Sequence, residues 1–245
     1  MNLRETFIIP DWPAPANVKS LQTTRHGGVS VAPYDSLNLG LHVGDAPLVV
    51  NRNRQLLSSL LPSEPVWLEQ VHGIVIANAD AANCVEQADA STARSRGSVS
   101  VVMTADCLPV LLCDEAGTVV GAVHAGWKGL ADGVIEATVS AMQVAPHHLM
   151  AWLGPAIGPD AFEVGAEVRA TFIAHDTQAA AAFAAHGTAG KYHADIYLLA
   201  RQRLNVLGIT RIFGGQHCTF TQADKFFSYR RDGVTGRMGT FIWLE

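Results

Sequence analysis

The spacing of hydrophobic positions changes several times along the chain, and each change predicts an element. In PLVVNRNRQLLSSLL, apolar side chains at Leu48, Val49, Leu56, Leu57, Leu60 and Leu61 predict an amphipathic helix that ends before Pro62. VWLEQVHGIVIANA reads as strand, turn, strand. SVSVVMTA, LPVLLCD and TVVGAVHA are apolar at both parities, as expected of strands covered on both faces. Glu115–Gly117 between the last two predicts a short hairpin turn. Helical spacing returns in GLADGVIEATVSAMQ, where Leu130, Val134, Thr138 and Met142 share one face. LMAWLGPAIGP is a strand running into a Gly/Pro loop, and VGAEVRATFIAHDTQAAAAFAAHG is Ala-rich and helical. DIYLLARQRLNVLG has Asp195 as N-cap, an apolar face of Ile196, Leu199, Leu204 and Leu207, and Gly208 as a stop. TRIFGG and RMGTFIWLE read as strands. TTRHGGVSVAPYDSLNLG and residues 80–99 have no period and predict loops, the second on the surface.

Strands and helices interleave without strict βαβ alternation. That predicts an α+β fold, a single domain over residues 1–245 with a large mixed sheet sandwiched with helices. Of the 245 residues, 49% are hydrophobic and 16% charged, enough apolar material for a sizeable core. A net charge of −5 gives no basic footprint for nucleic acid, and no apolar run is long enough to span a bilayer. The first residues lack the apolar stretch of a signal peptide, so a cytoplasmic protein with four reduced cysteines is expected.

Against this background three residues could carry chemistry. His72 in EQVHG, Cys107 in TADCLP and His124 in AVHAGW each lie where an apolar segment meets a turn, and two imidazoles with a thiolate can hold zinc with one position open. Gaps of 34 and 16 residues do not match compact zinc motifs, so spacing alone leaves ordinary core packing open for all three. Cys113 reads as core, Cys84 as incidental, and Cys218 in QHCTFT as a residue that could line a site. Asp106, next to Cys107, reads as an orienting partner for a ligand histidine, a proton carrier or a turn cap. Arg25 and His26 before a glycine pair, and Arg230 and Arg231 in FFSYRRDG, are anion-binding candidates or ordinary surface residues. Trp127 could stack on a base or a phenol, or pack in the core.

The segments TRHGGVS, PYDSLNLGLHVGD, WLEQVHG, ADA, MTADCLPVLL, AVHAGWKG, WLGPAIGP, FEVG and FFSYRRDGVTGRM occur in the order found in YfiH-like proteins. The chain therefore resembles the peptidoglycan-editing-factor or laccase-domain family, also called multicopper polyphenol oxidase or purine nucleoside phosphorylase, from about residue 7 onward. The resemblance implies an architecture grouped with cysteine-hydrolase toxins of the CNF type, and a metal triad of His72, Cys107 and His124. Zinc is the expected metal, with copper also able to bind. It further implies phosphorolysis of adenosine, inosine, guanosine and methylthioadenosine with adenosine deamination as a side activity. Arg25 or Arg230 would hold phosphate, His42 or Asn38 would contact ribose or phosphate, and Asp106 would move protons. A second implied activity is an amidohydrolase acting on L-Ser-containing UDP-muramyl-peptide precursors, with metal-activated water or with Cys107 as nucleophile assisted by His124. Laccase-like oxidation by copper fits less well, because the ten histidines show no paired HxH pattern. The expected partners are small molecules, not nucleic acid or membrane, and the expected state is a monomer.

Overall fold

The computed structural model describes residues 6–81 and 87–245, so Cys84 lies outside the described residues. In chain order the elements are β1 (Val18–Gln22), α1 (Pro47–Leu57), β2 (Ile76–Asn78), β3 (Ala90–Ala93), β4 (Val99–Thr104), β5 (Leu108–Asp114) and β6 (Val120–Ala125). Then follow α2 (Trp127–Asp132), α3 (Val134–Met142), β7 (Leu149–Leu153), β8 (Glu163–Gly165), α4 (Ala166–His175), β9 (Phe183–Ala185) and β10 (Lys191–Ala194). The series closes with α5 (Ile196–Val206), β11 (Arg211–Gly214), α6 (Tyr229–Asp232) and β12 (Met238–Leu244).

A six-stranded mixed sheet in the order β11-β7-β5-β6-β3-β2 forms the centre. Its β11–β7 and β2–β3 pairs are parallel and the rest antiparallel. A three-stranded antiparallel sheet, β1-β12-β4, covers one face, and β8-β10-β9 forms a smaller third sheet. Strand parity sets the layers. In β5, Leu111 and Cys113 pack with Val102 and Ile242 between the two larger sheets. Leu108, Val110 and Leu112 point the other way, into the core built by α3 and α5 with Val134, Ile135, Leu199 and Leu204. On the outer face of the three-stranded sheet, Val99, Val101 and Phe241 pack against Leu57 of α1 and against Leu37 and Leu39. Burying each such Leu, Val or Phe side chain contributes about 1.5–3 kcal/mol. The mixed α+β architecture predicted from the sequence is the one observed. No helix among the described residues is long and apolar enough to cross a membrane.

Several elements differ from expectation for identifiable reasons. The first helix stops at Leu57, where the Ser58 hydroxyl donates back to the Gln55 carbonyl at 2.7 Å. The helix expected over 129–143 is broken into α2 and α3 at Gly133, whose φ of 102° is left-handed. The Ala-rich stretch is helical only to His175. The Asp176 side chain then accepts the Gln178 N–H and starts a separate 3-10 turn that leads into β9. Residues 80–99 are not all loop, because Ala90–Ala93 form the buried strand β3. Its residues are small because α3 comes close there, with Thr138 crowding the adjoining Gly121 of β6. Of the strand expected around 66–71, only isolated bridges at Val66 and Glu69 remain. There the Gln70 amide stands in for strand pairing: it accepts from the Met103 N–H at 2.7 Å and donates to the Met103 carbonyl at 2.8 Å.

Candidate metal centre and its cleft

His72, Cys107 and His124 come from three different places, a loop, the turn between β4 and β5, and the end of β6. Yet one donor atom from each lies within 4.8 Å of the others. Cys107 Sγ and His72 Nε2 are 3.7 Å apart, close to an edge of the tetrahedron that metal–sulfur and metal–nitrogen bonds of about 2.3 and 2.0 Å define. The centre is graded in exposure, with His72 exposed, Cys107 half-buried and His124 buried.

Asp89, fully buried just before β3, organises two of the three donors. Its Oδ1 lies 2.7 Å from His124 Nδ1 and accepts the His72 N–H at 2.9 Å. Its Oδ2 accepts the N–H groups of Gly73 and Val71 at 2.6 and 3.2 Å. Its backbone carbonyl accepts the His124 N–H at 2.7 Å. Engagement of Nδ1 leaves His124 Nε2 as the free donor, an arrangement common behind metal-ligating histidines. The donor set therefore fits a zinc or copper ion with an open position.

Two glycines permit this convergence. A Cβ on Gly126 would sit 2.7 Å from His72 Cδ2 and 3.1 Å from Cys107 Sγ, and one on Gly129 would sit 3.0 Å from the Gly73 carbonyl oxygen. The backbone also bends against preference at two points, His72 with φ 60° and Asp106 with φ 96°. Left-handed non-glycine residues concentrate at functional sites, where surrounding structure holds them.

The electrostatics couple Cys107 to His124. Burial pushes the Cys107 thiol up, but the His124 charge and hydrogen bonds from both histidines outweigh it and bring the thiol down to about 6. Burial pulls His124 down, but the Cys107 thiolate and Asp89 more than compensate and raise it to about 9. Between those values the metal-free pair is a thiolate beside an imidazolium. Cys113 behaves oppositely, pushed up to about 12 by burial and by Asp114, as suits a core thiol.

A cavity of about 180 Å³ opens beside Cys107. Its walls include Asp106, Trp127, Phe162, Tyr229 and Arg230. Trp127 is 37% exposed and Tyr229 60%, so both aromatic rings are available at the mouth rather than sealed in the core. Asp106 does not orient a ligand histidine, a position Asp89 holds. Its Oδ1 accepts the Thr219 hydroxyl and its Oδ2 the Arg230 N–H, each at 2.6 Å. These bonds fix it at the cavity wall and leave each oxygen further acceptor capacity.

The anion-binding candidates separate clearly. Arg25 Nε and Nη1 donate to the carbonyls of Asp35 and Ala223, and Nη2 lies 3.4 Å from the Asp35 carboxylate. Each guanidinium nitrogen thus has a partner in the loops it ties together, and Arg25 does not line the aromatic cavity. Asn38 is fully buried and gives its amide to Gly40, Asp45 and the Arg237 N–H, so it supports the loop from behind and does not face a ligand. Arg230 does line the cavity, with Nη1 donating to the Glu163 carbonyl. Arg231 is drawn inward to carbonyls of Thr219, Phe220 and Phe226. His26 bonds to the Asp224 carbonyl. His42 stands on an exposed loop, and partial burial with the charges of Arg237, Arg54 and His124 lowers its pKa. Cys218 lines a separate cleft with Tyr197 and Arg201, its sulfur accepting the Gly158 N–H at 3.2 Å.

Sequence reasoning missed Asp89, although ADA stood among the matching motifs. The flanking residues are the small and polar types of a loop, so the sequence carries no sign that this acid is buried and must gather donors. The close-approach role of Gly126 and Gly129 in AGWKG was not read from the sequence, because what approaches them comes from the distant His72 loop.

Comparison with known proteins identifies the family. Residues 19–245 match the family described as multi-copper polyphenol oxidoreductase laccase. The chain is 58% identical over 241 residues to the purine nucleoside phosphorylase YfiH of Shigella flexneri, covering 97% of this chain and 98% of that protein. It is 57% identical over 241 residues to the Escherichia coli protein of the same name, with 97% and 98% covered. The crystal structure of Neisseria meningitidis protein NMB0706 superposes with a TM-score of 0.95 at 53% identity, covering 98% of this chain and 99% of that one. The chain belongs to the multi-copper polyphenol oxidoreductase laccase family, among relatives that carry the name purine nucleoside phosphorylase YfiH.

Proposed function

We propose that the chain is a metal-dependent purine nucleoside phosphorylase, with zinc as the metal. Its substrates are adenosine, inosine, guanosine and methylthioadenosine, and adenosine deamination is a side activity. The carrying observation is that Cys107 belongs both to the three-donor cluster and to the wall of an aromatic cavity. A flat heteroaromatic base suits a cavity walled by Trp127, Phe162 and Tyr229, since each base–aromatic stack is worth about 1–3 kcal/mol. The names of the 57–58% identical relatives point the same way. The protein is taken to act as a cytoplasmic monomer.

In phosphorolysis a phosphate oxygen bonds to the ribose C1′ while the C1′–N9 bond breaks, its electron pair leaving with the purine, which then takes up a proton. A divalent ion held by His72, Cys107 and His124 would supply Lewis acidity at this point. Asp106, which accepts the Thr219 hydroxyl and the Arg230 N–H at the cavity wall, would exchange a proton with the base. Stacking on Trp127 and Tyr229 orients the base and excludes water from its faces. The test is to incubate zinc-loaded protein with adenosine and phosphate and resolve the products. Adenine and ribose 1-phosphate are expected, with a smaller yield of inosine and ammonia. Absence of both products under metal-replete conditions overturns the proposal.

A second activity has its own support. Cys107, His124 and Asp89 form a thiol–imidazole–carboxylate series, with the His124–Asp89 contact at 2.7 Å and the thiol lowered to about 6. That is the arrangement of a cysteine nucleophile with its base and orienting acid, and it suits amide hydrolysis of a serine-containing UDP-muramyl-peptide. Release of L-serine that survives chelation, with a thioester trapped on Cys107, would support it. Abolition by chelator would favour the metal.

A further inference from the structure

Two arginines outside the anion-binding candidates clasp the loop that carries His42. Arg54 donates from Nε and Nη2 to the Leu39 carbonyl at 3.0 and 2.8 Å and stacks on Trp67, 3.7 Å from the ring centroid. Arg237 reaches the other side of the same loop, its Cγ 2.9 Å from where a Cβ on Gly40 would stand, and its N–H donates to Asn38. Arg237 Nη1 donates to the carbonyls of Thr235 and Gly236, but Nε and Nη2 have no partner among the described residues. Neither arginine has a carboxylate within ion-pair distance among the described residues, unlike Arg25, Arg203, Arg211 and Arg231. The guanidinium of Arg237 also lies 5.9 Å from the Tyr229 ring, which walls the aromatic cavity.

We propose that Arg237 and His42, with Arg54 bracing the loop between them, form an anion subsite that holds inorganic phosphate beside the aromatic cavity. The proposal rests on the phosphorylase function in taking phosphate as its ligand. A half-buried guanidinium with two unspent N–H donors matches a phosphate edge, and leaving such a cation unpaired is unfavourable. The Arg237 guanidinium lies 5.9 Å from the ring of Tyr229, a wall of the cavity, and the charges of Cys107 and Asp106 act on it, so the subsite faces the cavity side. The charges that His42 feels are those of Arg237, Arg54 and His124, all cationic. Burial depresses the pKa of Arg237 and brings that of Arg54 to about 10, with negative groups offsetting part of the shift in each. Tyr229 is the shared wall, so a base in the cavity and a phosphate on Arg237 would flank one ribose.

The test has a binding arm and a kinetic arm. Phosphate binding to the metal-loaded protein is measured by calorimetry for the parent, Arg237→Gln, Arg237→Lys and His42→Gln. Loss of one charge-assisted fork should weaken phosphate by about tenfold or more in Arg237→Gln. His42→Gln, on an exposed loop, should weaken it less, and Arg237→Lys should restore part of the loss. In turnover, the KM for phosphate should rise in Arg237→Gln with the KM for adenosine little changed. Unaltered phosphate affinity in both Arg237→Gln and His42→Gln overturns the subsite even if the parent is a phosphorylase. Arg237-dependent phosphate binding without ribose 1-phosphate formation supports the subsite and removes phosphorolysis instead. A parent that binds adenosine 5′-monophosphate through Arg237, with no measurable affinity for free phosphate, overturns inorganic phosphate as the occupant. Melting curves of each variant identify any that fails to fold, in which case Arg237→Lys and His42→Gln carry the comparison.

Discussion

Asp89 Oδ1 lies 2.7 Å from Nδ1 of His124 while the same carboxylate accepts the N–H groups of residues 71, 72 and 73. One buried side chain thus sets the ring of one donor and the backbone of another. Asp89→Ala leaves those donors unsatisfied. A loss of about 2–4 kcal/mol in unfolding free energy and a 10–100-fold fall in metal affinity are expected. Chemical denaturation and competition with a chromophoric chelator measure the two separately. A variant with parental metal affinity would contradict the positioning role.

Gly126 has no room for a methyl group. Gly126→Ala should displace His72 or Cys107 and lower metal affinity at least about tenfold, because a Cβ there meets both donors at once. Gly208, where nothing lies within 4 Å of an added Cβ, is the control. Gly208→Ala should cost stability through its left-handed φ of 92° but leave metal affinity alone. Equilibrium dialysis against zinc distinguishes the two.

The Cys107 thiol should be reactive in mildly acidic solution once metal is stripped. Burial alone would push it up, yet the His124 charge brings it to about 6, so the thiolate fraction rises with pH through that value. Alkylation by iodoacetamide, followed peptide by peptide, should reach half its plateau rate near pH 6 at Cys107. Cys113, pushed up to about 12, should stay unlabelled at neutral pH. A Cys107 midpoint near that of a free thiol, or equal labelling of Cys113, counts against the thiolate–imidazolium pair.

Trp127→Ala should raise the KM for a purine nucleoside about tenfold by removing one stacking face, with metal content unchanged. Steady-state kinetics alongside metal analysis decides the matter, and an unchanged KM would remove Trp127 from the binding surface.

Asn38→Ala should act on stability and not specifically on phosphate. The side chain is fully buried and bonds to Gly40, Asp45 and Arg237. Truncation should cost about 1–3 kcal/mol. A shift in the KM for phosphate without any loss of stability would return Asn38 to the ligand side.

Much of the fold was legible because strand parity carried it. The uninterrupted apolar runs of β4, β5 and β6 announce strands buried on both faces. Ala90–Ala93 were missed because residues chosen to let α3 come close are the small polar types of a loop. The three donor positions could be named as candidates, but their convergence depends on Asp89 and Gly126, whose effect exists only when distant segments meet. The arginines show the same limit. Arg25 and Arg237 both sit near glycines in the sequence, and only the folded chain shows that one has every nitrogen engaged and the other two nitrogens unspent.

The three-stranded sheet has β12 in its middle, between β1 and β4. Neither outer strand pairs with the other, so both must wait for residues 238–244. In chain order every strand of the central sheet precedes this segment. Cys107 follows directly on β4, and Arg237 directly precedes β12. Docking of one late strand therefore finishes the sheet and brings Arg237 to the cleft in a single long-range event, the kind that sets a slow step in folding. A chain with that strand undocked would carry all three donors yet leave Arg237 unanchored beside them, so the last strand of the small sheet couples its closure to the placing of one cation.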